Sequence, residues 1–225
     1  MKKIMMIAAM MVATVSANAQ FEPGTFSLQP KLGATVSWLS NMPKLNTGNA
    51  ELDKSPVVGF TIGGEAEYQL TKMLSLAAGV NYSMQGCGWA DYEEKMGDIK
   101  YELKDSKVEL GYLTVPVLVN LYLFKGFAIK SGVQFGILTN ANEKLNFKAS
   151  DGHTSSNVDM DESIMDDCEK LDISIPIGVS YQVPTVPVVI DGRFNLGLTK
   201  LNKESFDKDY KNMVFQVTVG YKFKL

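Results

Sequence analysis

The stretch Phe26-Ser27-Leu28-Gln29-Pro30-Lys31-Leu32-Gly33-Ala34-Thr35-Val36-Ser37-Trp38 decides how the rest of the chain is read. Its even positions, Phe26 to Trp38, are apolar, and its odd positions are Ser, Gln, Lys, Gly and Thr. Successive side chains leave opposite faces of a strand, so a period of two predicts a strand with one apolar and one polar face. The same alternation returns over Val58 to Tyr68, Leu74 to Met84, Phe127 to Ile137, Leu171 to Tyr181, Val188 to Leu198 and Met213 to Leu225. A further run, roughly Lys107 to Phe124, is apolar on both parities and contains Pro116, which cannot donate to a ladder.

The gaps between these runs alternate in length. Short ones fall at Leu70-Thr71-Lys72, at Lys125-Gly126 and at Pro184-Thr185-Val186-Pro187. Long ones cover Asn41 to Ser55, Gly86 to Ser106, Asn140 to Lys170 and, shorter, Leu201 to Tyr210. Short periplasmic turns and long outer loops in strict alternation mark an up-and-down barrel of the outer-membrane type. The expected fold is all-β: an eight-stranded antiparallel up-and-down transmembrane β-barrel.

Alternation does not say which face meets water. The competing reading is a soluble lipocalin-like barrel whose apolar face lines a ligand cavity. The polar parity is rich in Gly, Ser, Thr and Asn and poor in charge, which suits a crowded lumen better than a hydrated outside. Aromatic residues near strand ends, among them Phe26, Trp38, Tyr68, Tyr181 and Tyr221, suit interfacial girdles. The apolar face is therefore expected to meet outer-membrane lipid.

The N-terminus points the same way. Lys2 and Lys3 precede an apolar run from Ile4 to Val15, and Ala17-Asn18-Ala19 forms a small-x-small cleavage site before Gln20. Residues 1–19 are read as a cleaved signal peptide and 20–225 as the barrel domain, in the outer membrane of a Gram-negative cell. Losing the two leader lysines takes the formal charge from −3 to −5, which argues against nucleic acid as a partner. The two cysteines, Cys87 and Cys168, both fall on the long-loop side. Either they pair across the barrel mouth or they stay free; spacing alone leaves both open.

The end of the chain, Thr218-Val219-Gly220-Tyr221-Lys222-Phe223-Lys224-Leu225, resembles the β-signal of outer-membrane barrels. That resemblance implies that Thr218, Gly220, Phe223 and Leu225 are read by the barrel-assembly machinery. The whole is similar to the PorT-like "porin family" of outer-membrane β-barrels. The segments that carry the likeness are Gly111-Tyr112-Leu113-Thr114-Val115-Pro116-Val117-Leu118-Val119, Gly192-Arg193-Phe194-Asn195-Leu196-Gly197-Leu198 and Val214 to Phe223. The resemblance implies the barrel and the membrane, and leaves the role open.

An eight-stranded interior is just wide enough for side chains to fill. Lys31, Glu65, Glu67, Lys130, Asp191 and Arg193 lie on polar parities and are expected to form a lumenal ion-pair network, since buried charges need partners. A narrow gated ion path is the alternative. His153 stands alone without ligand-spaced partners. The acidic segment holding Asp159, Asp161, Glu162, Asp166, Asp167 and Glu169 lacks the EF-hand order of ligands and reads as a hydrated loop. No catalytic residues, metal site or cofactor are expected. A structural or surface-interaction role through the outer loops, with a surface ligand or partner, leads. A pore or secretion-apparatus component follows, then the soluble ligand-binding barrel.

Overall fold

The computed structural model describes residues 22–46, 51–124, 126–150, 154–203 and 209–225. Their regular elements are all strands: β1 (Phe26–Ser40), β2 (Leu45–Asn46), β3 (Glu51–Leu52), β4 (Lys54–Gln69), β5 (Leu74–Trp89), β6 (Tyr92–Met96) and β7 (Ile99–Phe124). The chain continues with β8 (Phe127–Ser150), β9 (Ser155–Ser163), β10 (Leu171–Gln182), β11 (Val188–Gly197), β12 (Lys211–Tyr221) and β13 (Phe223–Lys224). Antiparallel pairing runs β1–β4–β5–β7–β8–β10–β11–β12 and returns to β1, which closes the sheet into a barrel. Lys31 shows the closure directly, since it faces Gly63 on β4 and Gly220 on β12.

The barrel is polar inside and apolar outside. In β1, Lys31 is 3% exposed while its neighbour Leu32 is 66% exposed. Phe60 and Ile62 on β4, Val133 and Phe135 on β8, and Val217 and Val219 on β12 are likewise exposed, with Thr61, Gln134 and Thr218 buried between them. A water-soluble barrel of this size would lose the hydrophobic contribution of all those outward side chains, so the arrangement fits lipid as the outer solvent. Strands of 10 to 12 residues at β10, β11 and β12 are long enough to cross a bilayer when tilted.

Pro116 sits inside this wall, facing the lumen and opposite Gln134 on β8. Towards β5, pairing holds at Ala78–Val117 and at Asn81–Thr114 and lapses between them, where the missing N–H falls. The both-sided apolar character of β7 also resolves. Leu113, Val115, Val117 and Val119 face outward, while Leu110, Tyr112, Leu118 and Tyr122 point in.

Much of two long connections is strand rather than loop, which corrects the expected boundaries. β7 and β8 run 26 and 24 residues, far beyond the membrane, and pair there with β6 and β9. Two bulges shape this extension. The β7–β8 register jumps between Lys104 and Lys107, where Asp105 has φ 53°, and again between Gly111 and Tyr112. An inserted residue flips the side-chain parity beyond it. Leu103 and Tyr101 therefore continue the lumen-facing side of Val108 and Leu110 despite their odd numbers. The four-stranded extension thus has an apolar face (Tyr101, Leu103, Leu145, Phe147, Val158, Met160), on which Leu103 packs against the cluster at the barrel mouth, and a charged face behind it.

Candidate functional site

The barrel interior is stacked in layers, and the layer nearest the short turns is ionic. Glu65, on β4, accepts two hydrogen bonds from the Arg193 guanidinium of β11, Nη1 at 2.6 Å and Nη2 at 2.8 Å, and a further one from Lys31 Nζ. Asp191 lies 2.8 Å from Lys130 Nζ and 2.6 Å from Arg193 Nε. β4 and β11 are not neighbours in the ring, so these contacts cross the lumen rather than follow the wall. All five side chains are at most 3% exposed. The fork of Arg193 holds Glu65 in a bidentate pair, the geometry in which a carboxylate is bound most firmly.

Glu67 stands one step nearer the turns and belongs to a second group. It accepts from Lys222 Nζ at 2.8 Å, Ser75 Oγ at 2.7 Å and the Tyr122 hydroxyl. Lys222 also donates to the Tyr122 oxygen at 2.9 Å. The six charges picked out in the sequence thus fall into two groups. Lys31, Glu65, Lys130, Asp191 and Arg193 come together, and Glu67 pairs with Lys222, which the sequence reading passed over. The signal was present, because Lys222 shares the parity of Thr218 and Gly220.

Small residues make room for these long side chains. A Cβ on Gly178 would meet Arg193 Cγ at 2.8 Å, and one on Gly79 would meet Glu65 Cγ at 2.5 Å. Both glycines sit where a neighbouring side chain lies flat across the strand on its way to the barrel axis.

Above the ionic layer the lumen is polar and uncharged apart from Asp172. That carboxylate accepts from Asn212 Nδ2 and Thr199 Oγ1, each at 3.3 Å, and Asn212 also reaches the Tyr112 hydroxyl at 3.0 Å. Tyr112 belongs to an apolar cluster that covers the outer mouth, with Leu39, Trp89, Leu110, Leu138 and Leu201. The outer connections hydrogen-bond to one another there. Glu169 N donates to Leu201 O at 2.6 Å, and Lys203 N to Asp167 O at 3.1 Å.

Cys87 and Cys168 both belong to this cap and are both free thiols, so the pairing considered from sequence is not made. Each is held separately: Cys87 Sγ lies 3.7 Å from Ser55 O, and Cys168 forms a backbone bridge with Asn202. Burial pushes the Cys168 thiol up to about 11, and the Asp167 carboxylate adds to the effect.

The remaining sequence expectations are placed as follows. Thr218 and Gly220 face the lumen, Phe223 pairs with Leu28, and Leu225 ends the chain exposed. Asp159 and Asp161 lie on the exposed strand β9. Ala17, Ala19, Gln20 and His153 lie outside the described residues. Among the described residues no group of three or more His, Cys, Asp or Glu could hold a metal ion.

Residues 18–203 match the family described as "Outer membrane protein beta-barrel domain". A search of curated proteins returned no match. Among solved structures, the attachment invasion locus protein Ail of Yersinia pestis is similar at 14% identity, covering 89% of this chain and 99% of Ail, with a TM-score of 0.40. Neisserial surface protein A is similar at 14% identity, covering 89% of this chain and 97% of that one, with a TM-score of 0.42. The outer membrane protein AlkL matches at 12% identity over 94% of this chain and 96% of its own, with a TM-score of 0.38.

Proposed function

The chain belongs to the outer membrane protein beta-barrel domain family, which places it in the Gram-negative outer membrane, and from that premise we propose that it works through its outer surface and keeps its lumen closed. The observation that carries this reading is the double closure: the cross-lumen ionic layer around Glu65 and Arg193, and the apolar cap around Tyr112 and Leu110. An ion crossing the barrel would have to part buried charge pairs and then enter an apolar constriction, and each step is costly in a low-dielectric interior. The residues left over for function are those of the outer extension, where the strands rise clear of the barrel.

Purified protein in a planar lipid bilayer tests the reading. The expected trace is silent at moderate voltage, and recurrent unitary openings would overturn it. A narrow ion path is the second reading, favoured by the buried Asn81 Oδ1, Asn195 Oδ1 and Thr218 Oγ1, which have no protein hydrogen-bond partner. Groups of that kind are usually satisfied by water.

Three finer points belong to the same proposal. Residues 1–19 serve as the export signal, cleaved before Gln20. Thr218, Gly220, Phe223 and Leu225 serve as the assembly signal read by the barrel-assembly machinery. The kinship is to the PorT-like branch, on the strength of the Gly111 to Val119 and Gly192 to Leu198 segments.

A further inference from the structure

The four-stranded extension has two free edges, and they are unlike. β6 is five residues long and carries Lys95, and a short strand with a lysine is a common way of blunting an edge. β9, Ser155–Ser163, has none of these devices. It holds nine residues, no proline, no lysine and an unbroken register against β8 from Asn142–Ser163 to Ser150–Ser155. Every one of its residues is exposed, and among the described residues it pairs with β8 alone. In an antiparallel edge strand every second residue turns its N–H and C=O away from the sheet, so β9 presents an open ladder to the medium.

The side chains define what fits that ladder. On the charged face β9 shows Asp159 and Asp161. Among the described residues Asp161 has a distant cation, Lys144 at 3.9 Å, and a hydrogen bond from Asn142. On the apolar face Val158 and Met160 are 49% and 48% exposed. β9 laid antiparallel on itself would bring acidic residues together, which disfavours a second copy as occupant.

We propose that β9 is a docking edge for an extended segment of a partner protein, basic on one parity and apolar on the other, which adds a strand to the sheet. Backbone hydrogen bonds supply the affinity. Lysine or arginine beside Asp159 and Asp161, with aliphatic side chains beside Val158 and Met160, supplies the selection. This rests on the surface-acting reading above and names the chemistry of the partner that such a surface takes.

The test uses the full-length protein in lipid nanodiscs and a peptide of about nine residues alternating lysine and valine, long enough to cover the edge. A second peptide of the same charge carries prolines at central positions. The expected result is saturable binding of the first peptide, with slowed amide hydrogen exchange confined to 155–163 and 142–150, and loss of binding with the proline peptide. Asp159→Lys with Asp161→Lys is expected to weaken binding roughly tenfold. Both substituted positions are exposed, and unchanged heat-modifiable migration confirms that the variant barrel is intact. Equal binding of the proline peptide, or protection absent from β9, would overturn strand addition. So would no binding at all. Failure here with a silent bilayer removes only the docking edge, whereas channel openings remove the surface-acting reading itself.

Discussion

Arg193 is the side chain on which the ionic layer turns, because one guanidinium serves both Glu65 and Asp191. Replacing it with Met leaves two buried carboxylates to share Lys31 and Lys130, and truncating one partner of a buried pair costs about 3–5 kcal/mol. The unfolding midpoint of the Arg193→Met barrel, read in urea by the shift between folded and unfolded gel bands, should fall accordingly. Glu65→Gln with Arg193→Met should cost less than the two single changes added, since the residues share one network. Cys168 gives a second residue-scale expectation. With its thiol held at about 11, little thiolate exists at pH 8, and the surrounding cap limits access. Iodoacetamide should label the protein slowly until it is denatured, and then at both cysteines without prior reduction. Labelling that requires a reductant would show a disulfide instead.

At the scale of the element, Glu102 carries an acid response within the extension. It accepts from Lys100 at 2.7 Å and from Lys104 at 3.1 Å, and these lysines hold its carboxyl down to about 2 from an ordinary 4.5. A carboxyl depressed in the folded state contributes stability that is complete above its unfolded value and disappears as pH falls through its folded value. Lys100, Glu102 and Lys104 all lie on β7, so protonating Glu102 between pH 4.5 and 2 should release these solvated side chains while the β6–β7 hairpin keeps its hydrogen-exchange protection. Protection lost over that range would show instead that this cluster bears on the pairing of β6 with β7.

The legibility of each element in the sequence follows from contrast between its faces. β1 was readable because Leu32 and Lys31 differ sharply. β7 was not, because the residues it sends inward include Leu110, Leu118 and Tyr122, the last carrying a hydroxyl that reaches Glu67. The extension reads as loop in the sequence because each bulge restarts the count. Past Asp105 the apolar side moves from even to odd numbers, and a fixed-parity reading sees no pattern across it. β9 offered only Val158 and Met160 in a run of Ser, Asn, Asp and Glu, residues with little strand preference of their own; pairing with β8 makes it a strand. The ionic groups were half legible: parity identifies lumen-facing charges, but only the closed ring determines which ones meet across it.

For the whole molecule, the two closures are separate in structure, one built from wall residues near the short turns and the other from the outer ends of the strands with Leu201 and Cys168 of the connections. Removing one should therefore leave the barrel shut. A variant carrying Glu65→Ala, Asp191→Ala and Arg193→Ala, provided it still migrates as a folded barrel, should remain silent in a planar bilayer because the cap around Leu110 and Tyr112 persists. Openings in that variant would show that the ionic layer is the only seal.

Lys222 gives the barrel a sense of order in time. It lies beside the seam where Phe223 and Lys224 pair with β1, yet its ammonium is bound to Glu67 on β4. Until that last segment docks, Glu67 lacks the cation that neutralises it in the finished interior, and a sheet halted one strand short would carry a stranded negative charge into lipid. β12 and the Lys222 that follows it thus complete both the ring and its electrical balance, so a chain clipped before β12 should stall at the membrane surface rather than enter as a leaky barrel.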